Sequence, residues 1–313
     1  MKIIPSSMAF QDSKLNKIHT YSEGNSVPIF DVCSFNGLNQ IIGYAKYINP
    51  DKKILYRGEC RLHNSMRPSI NHTISSQNAR DKANNRINKM ITDALSDDAF
   101  SKYIRLSKTN DQDRFILESV LQHYGIATHC IDVVDNHWVA LWFGQNECIK
   151  RKMLNTYFQY QSRKKNIYEL IDISKDSEDL YQYVVLLATE FQNESSGISI
   201  TNTTITIDLR SAVPSTFLRP HAQHGWIIRK NTHRPDDNYD LAENVIGIIR
   251  IRTDLAAQWL GNGKLLSVEN LFPSPAFDQG YDVLLSRKDL FEEYTTNIDT
   301  KQIYPASKLV SLL

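Results

Sequence analysis

No apolar run in this sequence approaches the ~20 residues that a membrane-spanning helix requires. Net charge of either sign is also missing. Thirty-six Lys and Arg stand against 35 Asp and Glu, a formal charge of +1, so there is no global electrostatic footprint for a nucleic-acid backbone. The short basic clusters Lys150-Arg151-Lys152 and Arg163-Lys164-Lys165 read as solvated faces. Cysteines are few: Cys33, Cys60, Cys130 and Cys148 form no Cys-x-x-Cys pair and have no His at zinc spacing. No metal site is expected, and scattered thiols of this kind read as small hydrophobes in a reducing compartment. Met1 to Lys14 is polar and mixed, without the charged-then-apolar pattern of a secretory signal. The expected localisation is therefore cytoplasmic, with no membrane partner. Gly-x-Gly-x-x-Gly after a strand, Gly-Lys-Ser/Thr, Gly-x-Ser-x-Gly and His-Glu-x-x-His are all absent. Those absences remove the commonest dehydrogenases, nucleotide hydrolases, serine hydrolases and zincins.

What remains has the composition of an ordinary folded protein: 313 residues, 41% hydrophobic, 23% charged and 10% aromatic. A chain of this length buries a sizeable core without crosslinks. Phe35, Leu38, Ile41, Ile42 and Ala45 fall on one helical face, with Ser34 as N-cap and Asn49-Pro50 as stop. Lys53 to Gly58 reads as a short strand ending at a glycine. Ala83, Ile87, Met90, Ile91 and Ala94 repeat at helical spacing. A further helix is expected over Asp111 to Tyr124, capped by Asp111 and ended by Gly125. Ile126 to Val134 reads as extended, and Asp135 or Asn136 then caps a buried helix through Phe143. Strands are expected at 181–187, 204–209, 225–229 and 245–252, and Thr253 or Asp254 is expected to cap a short helix. Helices dominate the first half and strands the second, without strict βαβ alternation. The expected fold is α+β: a mixed or antiparallel central sheet with segregated helices. Residues 1–34 form an N-terminal lead-in, 35–290 the main domain with a polar insertion at 151–178, and 291–313 a C-terminal tail.

Three segments carry candidate chemistry. In Tyr56-Arg57-Gly58-Glu59 an arginine ends an apolar strand. Its planar fork suits a carboxylate or phosphate, and the glycine beside it would admit a close ligand or backbone. Taken alone, this triplet is better explained by an internal salt bridge from Arg57 to a Glu or Asp. The second segment runs from Gln122 through His123, Thr128 and Asp132 to Asn136 and Phe143. His123 ends a helix, where its protonation is easily moved, and Asp132 is expected near the sheet edge. The bland alternatives are a satisfied core histidine and a helix cap. In the third segment, Arg219, Gln223 and His224 precede an apolar strand. Arg219 and Gln223 share a face if the turn is helical.

Taken in order, these segments resemble the FRG domain, a mostly bacterial family named for a Phe/Tyr-Arg-Gly motif. Tyr56-Arg57-Gly58-Glu59 matches that motif, and Arg67-Pro68-Ser69-Ile70 is similar to a Pro-Ser element. Gln122-His123-Tyr124-Gly125 with Thr128, Asp132, Asn136, Ala140 and Phe143 matches the long central motif. Arg219, Gln223 and Gly225 match an Arg-x-x-x-Gln-x-Gly element, and Leu271-Phe272-Pro273 with Gly280 a C-terminal one. The chain departs from the family at Ala127, His129, Cys130, Val133 and Val134, where Pro, Arg, Leu, Trp and Thr are usual. The layout also resembles that of ADP-ribosyltransferases, a likeness at fold level only. It implies NAD as cofactor and a role as toxin or defence effector. Arg57, His123 and Gln223 would act in catalysis, while Tyr56, Gly58, Thr128, Asp132, Asn136, Arg219 and His224 would line the ligand. The alternative is a sensor module that binds a nucleotide-like small molecule or a protein partner without turnover.

Overall fold

The computed structural model describes residues 1–68, 70, 77–152, 156–163, 177–192, 196–232, 239–287 and 290. Its strands, in chain order, are β1 (Ser13–Thr20), β2 (Ser26–Val32), β3 (Lys53–Glu59), β4 (Ile131–Val134), β5 (Asn146–Lys152), β6 (Thr156–Ser162), β7 (Tyr181–Thr189), β8 (Ile198–Ile200), β9 (Thr204–Asp208), β10 (Gly225–Lys230) and β11 (Val245–Arg252). Nine of them form one sheet in the order β1-β2-β11-β7-β3-β4-β10-β9-β8, and β5 and β6 form a separate hairpin. β2 and β11 run parallel; the other neighbours are antiparallel. The mixed sheet with helices set apart from it is the expected α+β architecture. The segment read as a lead-in supplies two of its strands, β1 and β2. Ser69, most of the segment read as an insertion and the whole of 291–313 lie outside the described residues.

The helices are α1 (Phe35–Ile48), α2 (Gln77–Ser96), α3 (Asp98–Ile104), α4 (Asp111–His123), α5 (His137–Gln145), α6 (Leu209–Ala212), α7 (Leu218–Ala222), α8 (Thr253–Trp259), α9 (Val268–Leu271) and α10 (Gln279–Ser286). Their ends follow local chemistry. Ser34 Oγ accepts the Gly37 N–H at 3.1 Å, and Asn136 Oδ1 accepts the Trp138 N–H at 2.9 Å, each satisfying an orphan donor of the first turn. At α4 the cap is Asn110, which accepts from Gln112 N at 3.0 Å. Asp111 and Asp113 sit instead in the first turn, where their charge opposes the helix dipole. α8 begins after Arg252 with no side-chain cap, contrary to the expectation for Thr253 or Asp254. None of the described helices is long and apolar enough to cross a membrane.

The sheet register explains where a site forms. Tyr56 pairs with Val134 and Asp132 with Ile227, and residues directly opposite one another share a face. Tyr56 and Val134 belong to a core built with α1, α5 and α8. Ile227 belongs to a second core built with α2, α3 and α4. Two helical layers therefore stand side by side on one face of the sheet, and Asp132 lies at the seam between them. The opposite face buries Leu55, Ile131, Val133, Val185 and Trp226 in a third core.

Candidate functional site

A cleft of about 720 Å³ opens at this seam, within the range of roughly 300–1,000 Å³ usual for small-molecule sites. Strand β3 meets β4 at a single bridge, Tyr56 with Val134. Beyond that bridge, Arg57 Nη1 donates to the carbonyl of Asp132 at 2.8 Å, spanning strands that no longer share a ladder bond. The other side of the guanidinium pairs with Glu59. Arg57 is thus held by an internal carboxylate, yet 33% of its side chain remains exposed and it lines the cleft. Burial opposes its charge, but Glu59 and then Asp132 more than offset this and raise its pKa.

Asp132 was expected near a sheet edge. It instead occupies an interior strand, and the cleft reaches it because β3 and β4 part. Its carboxylate is clamped by the last turn of α4: Gln122 Nε2 donates to Oδ2 at 2.8 Å, and His123 Nδ1 lies 3.1 Å from Oδ1. Burial pushes the Asp132 pKa up. The bonds from His123 and Gln122 and the Arg57 charge outweigh burial and hold it below the ordinary carboxylate value. With 39% of its side chain exposed, Asp132 presents an anion to the cleft. His123 Nε2 is buried without a partner and faces Gly225, where a Cβ would lie 2.8 Å from His123 Cε1. This imidazole therefore positions Asp132 rather than reaching a ligand through Nε2.

The opposite wall comes from α7 and the segment after it. Arg219 is 5% exposed and its guanidinium carbon lies 4.4 Å from the Tyr124 ring centre, 4.6 Å from Tyr281 and 5.4 Å from Phe272. Such faces stabilise a cation by about 0.5–2 kcal/mol each, but they satisfy no N–H. Arg219 Nη1 donates a long 3.4 Å bond to the carbonyl of His123, and Nε has no partner. Among the described residues no carboxylate pairs with this guanidinium. The nearby Asp278 instead accepts the Arg219 backbone N–H at 3.0 Å and the Tyr124 hydroxyl at 2.6 Å. Gln223 Nε2 donates to the carbonyl of Leu271 at 2.8 Å, which ties it to the wall and leaves Oε1 as its acceptor. Phe143, Tyr160 and Phe272 complete an aromatic lining, with Tyr160 and Phe272 stacked at 4.9 Å. Cys60 also lines the cleft, its thiol pushed up to about 11 by burial.

Seven of the ten sequence candidates therefore meet: Tyr56, Arg57, Gly58, His123, Asp132, Arg219 and Gln223 all line one cleft. Three do not. Thr128 is fully buried; its N–H and hydroxyl donate to Gln122 Oε1 at 3.1 and 3.0 Å, so it supports the Asp132 clamp. Asn136 caps α5. His224 sits in a separate cluster, with Nδ1 3.1 Å from Asp135 Oδ1 and 3.3 Å from Arg210 Nη1. Gly58 lines the cleft, but the space its missing Cβ leaves is filled by α5, not by ligand room. The cleft also recruits Glu59, Arg61, His63, Glu147 and Tyr160. Arg61, His63, Glu147 and Tyr160 carry no distinguishing sequence pattern. Among the described residues no group of three or more His, Cys, Asp or Glu side chains is arranged to hold a metal ion.

Residues 52–152 match the model of the FRG domain. The chain carries an FRG domain. The match runs from the turn before β3 to the end of β5, so the FRG segment supplies Arg57, the Asp132 clamp and Phe143. Arg219, Gln223 and Phe272 lie beyond it. No curated protein and no solved structure matches this FRG chain.

Proposed function

We propose that the FRG cleft binds a phosphate-bearing, nucleotide-like small molecule, with NAD as the leading candidate. One observation carries this reading: Arg219 is a buried guanidinium that lines the cleft with its Nε–H unsatisfied and, among the described residues, no carboxylate partner. A buried charge left unpaired costs several kcal/mol, and the aromatic cage offsets only part of that. A ligand oxyanion supplies the missing acceptors, and Arg is the side chain best shaped for phosphate. The aromatic surface of Phe143, Tyr160 and Phe272 offers a planar ring an apolar face.

In the ADP-ribosyltransferase-like form of this reading, the cleft cleaves the bond between nicotinamide and ribose. Positive charge then develops on the ribose, and a fixed anion nearby stabilises it. Gln223 carries no charge for that role, whereas Asp132 does. The alternative, a sensor that binds without turnover, needs only the same anion and ring contacts.

Calorimetry on the full chain with ADP, ADP-ribose and NAD tests the binding reading. Arg219→Met is expected to weaken ADP-ribose by about tenfold or more, the value of a charge-assisted bond. Equal binding by the variant, or no heat from any of the three at millimolar concentration, overturns it. Incubation with NAD labelled in the nicotinamide separates enzyme from sensor, since release of label requires turnover.

A further inference from the structure

The cleft has two poles of opposite sign. Arg219 forms one, and Asp132, facing the same chamber, forms the other. Glu59 pairs with Arg57, and Arg57 bonds Asp132 only at its backbone carbonyl, its charge acting on the Asp132 carboxylate through space. Two side chains, Gln122 and His123, hold the Asp132 carboxylate in place, leaving its remaining lone pairs toward the open volume. Tyr160 lines the same cleft: burial pushes its phenol pKa up, and the Arg219 and Asp132 charges act on it in opposite senses. A ligand bearing only negative charge satisfies Arg219 and is repelled by Asp132. A ligand with an anionic diphosphate at one end and a cationic ring at the other satisfies both.

We infer that Asp132 reads the charge of the ligand ring, so that the cleft selects the oxidised, pyridinium form of a nicotinamide dinucleotide over its reduced form. This rests on the nucleotide reading above and adds the residue that sets its specificity. The two forms have the same phosphates and nearly the same shape, and differ by one positive charge on the ring. Shape and the Arg219 contact therefore discriminate little, while a fixed carboxylate discriminates strongly. Within the same chamber Tyr160 and Phe272 stack on one another and Phe143 meets both edge-on, giving the ring an aromatic wall.

The test is calorimetry on the full chain with ADP-ribose, oxidised NAD and NADH, using wild type, Asp132→Asn and Glu243→Gln. Wild type is expected to favour oxidised NAD over NADH by about tenfold or more, as an ion pair of partly screened charges predicts. Asp132→Asn is expected to abolish that preference while keeping ADP-ribose affinity. Glu243→Gln removes an exposed carboxylate that does not line the cleft and should leave the preference intact. If Asp132→Asn fails to fold, Gln122→Leu, which removes one donor from the carboxylate, should shrink the preference. Equal wild-type affinity for the two forms, or a preference that survives the loss or slackening of Asp132, overturns the inference. ADP-ribose binding in those cases leaves the nucleotide reading standing. No binding by any of the three ligands overturns both.

Discussion

Replacing Gly58 with alanine measures how tightly the cleft is tied to its scaffold. A Cβ at position 58 would lie 1.8 Å from the carbonyl oxygen of Ala140 and 2.7 Å from the amide nitrogen of Gly144. Both are backbone atoms of α5, so no side-chain rotation relieves the contact. Restoring an ordinary 3.4 Å contact to the Ala140 oxygen requires a shift of 3.4 − 1.8, about 1.6 Å. Interiors are close-packed and do not yield by that much. Overpacking by a single methyl typically costs about 1–3 kcal/mol, and a backbone clash belongs at or above the upper end. For a chain of 313 residues, ~3 kcal/mol corresponds to a fall in Tm of roughly 5 °C. The displaced helix carries Phe143 and leads directly into β5, so the cleft wall moves with it. Thermal unfolding followed by circular dichroism, with ADP-ribose calorimetry on the same sample, reads both effects. A Gly58→Ala variant within 2 °C of wild type would refute the claim that this glycine exists for helix approach.

Arg219→Met is expected to leave stability unchanged or raise it, because an unpaired buried cation contributes little to folding; urea midpoints check this beside the binding loss. Glu118→Gln is expected to cost about 3–5 kcal/mol by urea unfolding, since it strips the buried Arg229 of the only carboxylate paired with it among the described residues and leaves the His129 N–H, now 3.1 Å from a carboxylate oxygen, at best a neutral acceptor. Glu118 also shapes the acid limb. Burial pushes its pKa up, but Arg229 and His129 more than offset this and lower it from 4.5 to about 2. A depressed folded pKa gives stability that is present above the unfolded value and lost as pH falls through the folded one. About 3 kcal/mol should therefore disappear between pH 4.5 and 2 in wild type, and the Gln variant should be flatter over that window. Thr128→Val should weaken the Gln122 clamp and lower oxidised-NAD affinity severalfold, while Thr128→Ser retains it; unchanged affinity in the Val variant would place Thr128 in packing alone.

Local signals were legible where a single interaction decides the outcome. Ser34 and Asn136 announced their helices because a short polar side chain before an apolar run satisfies orphan N–H groups. The strand expected at 245–252 is β11, where Val245, Ile246, Ile248, Ile249 and Ile251 supply the β-branched residues that suit a buried strand. β1 was not legible as part of the main sheet. Its apolar Leu15 and Ile18 are exposed, and a register shift between Leu15 and Lys17 breaks the alternation. At the site, Arg57, Asp132, Arg219 and Gln223 were found as unusual polar residues within apolar sequence. Their roles were less legible. The sequence offers no way to see that Thr128 serves Gln122 six residues earlier, or that Gly58 yields its space to Ala140. Those facts depend on how α4 and α5 land on the sheet.

The position of Asp132 explains why a cleft exists here at all. In the strand Ile131-Asp132-Val133-Val134, alternation places Asp132 on the face that carries the helical cores. An ionised carboxylate under a continuous helical layer would cost several kcal/mol or lose its charge. Placed between two layers and gripped by Gln122 and His123, it keeps its charge and stays open to solvent. The cationic pole has a separate origin. Arg219 comes from α7, beyond the matched FRG segment, and shares the cleft with Asp132 because α7 leads into β10, which pairs with β4. The FRG segment by itself carries the acidic pole and the Arg57–Glu59 pair, and α7 adds the uncompensated guanidinium. The charge pattern on which the proposed preference for a ligand with both signs rests therefore belongs to the whole sheet. An FRG match alone does not imply it unless an arginine stands where Arg219 stands, caged by aromatic rings and without a carboxylate partner.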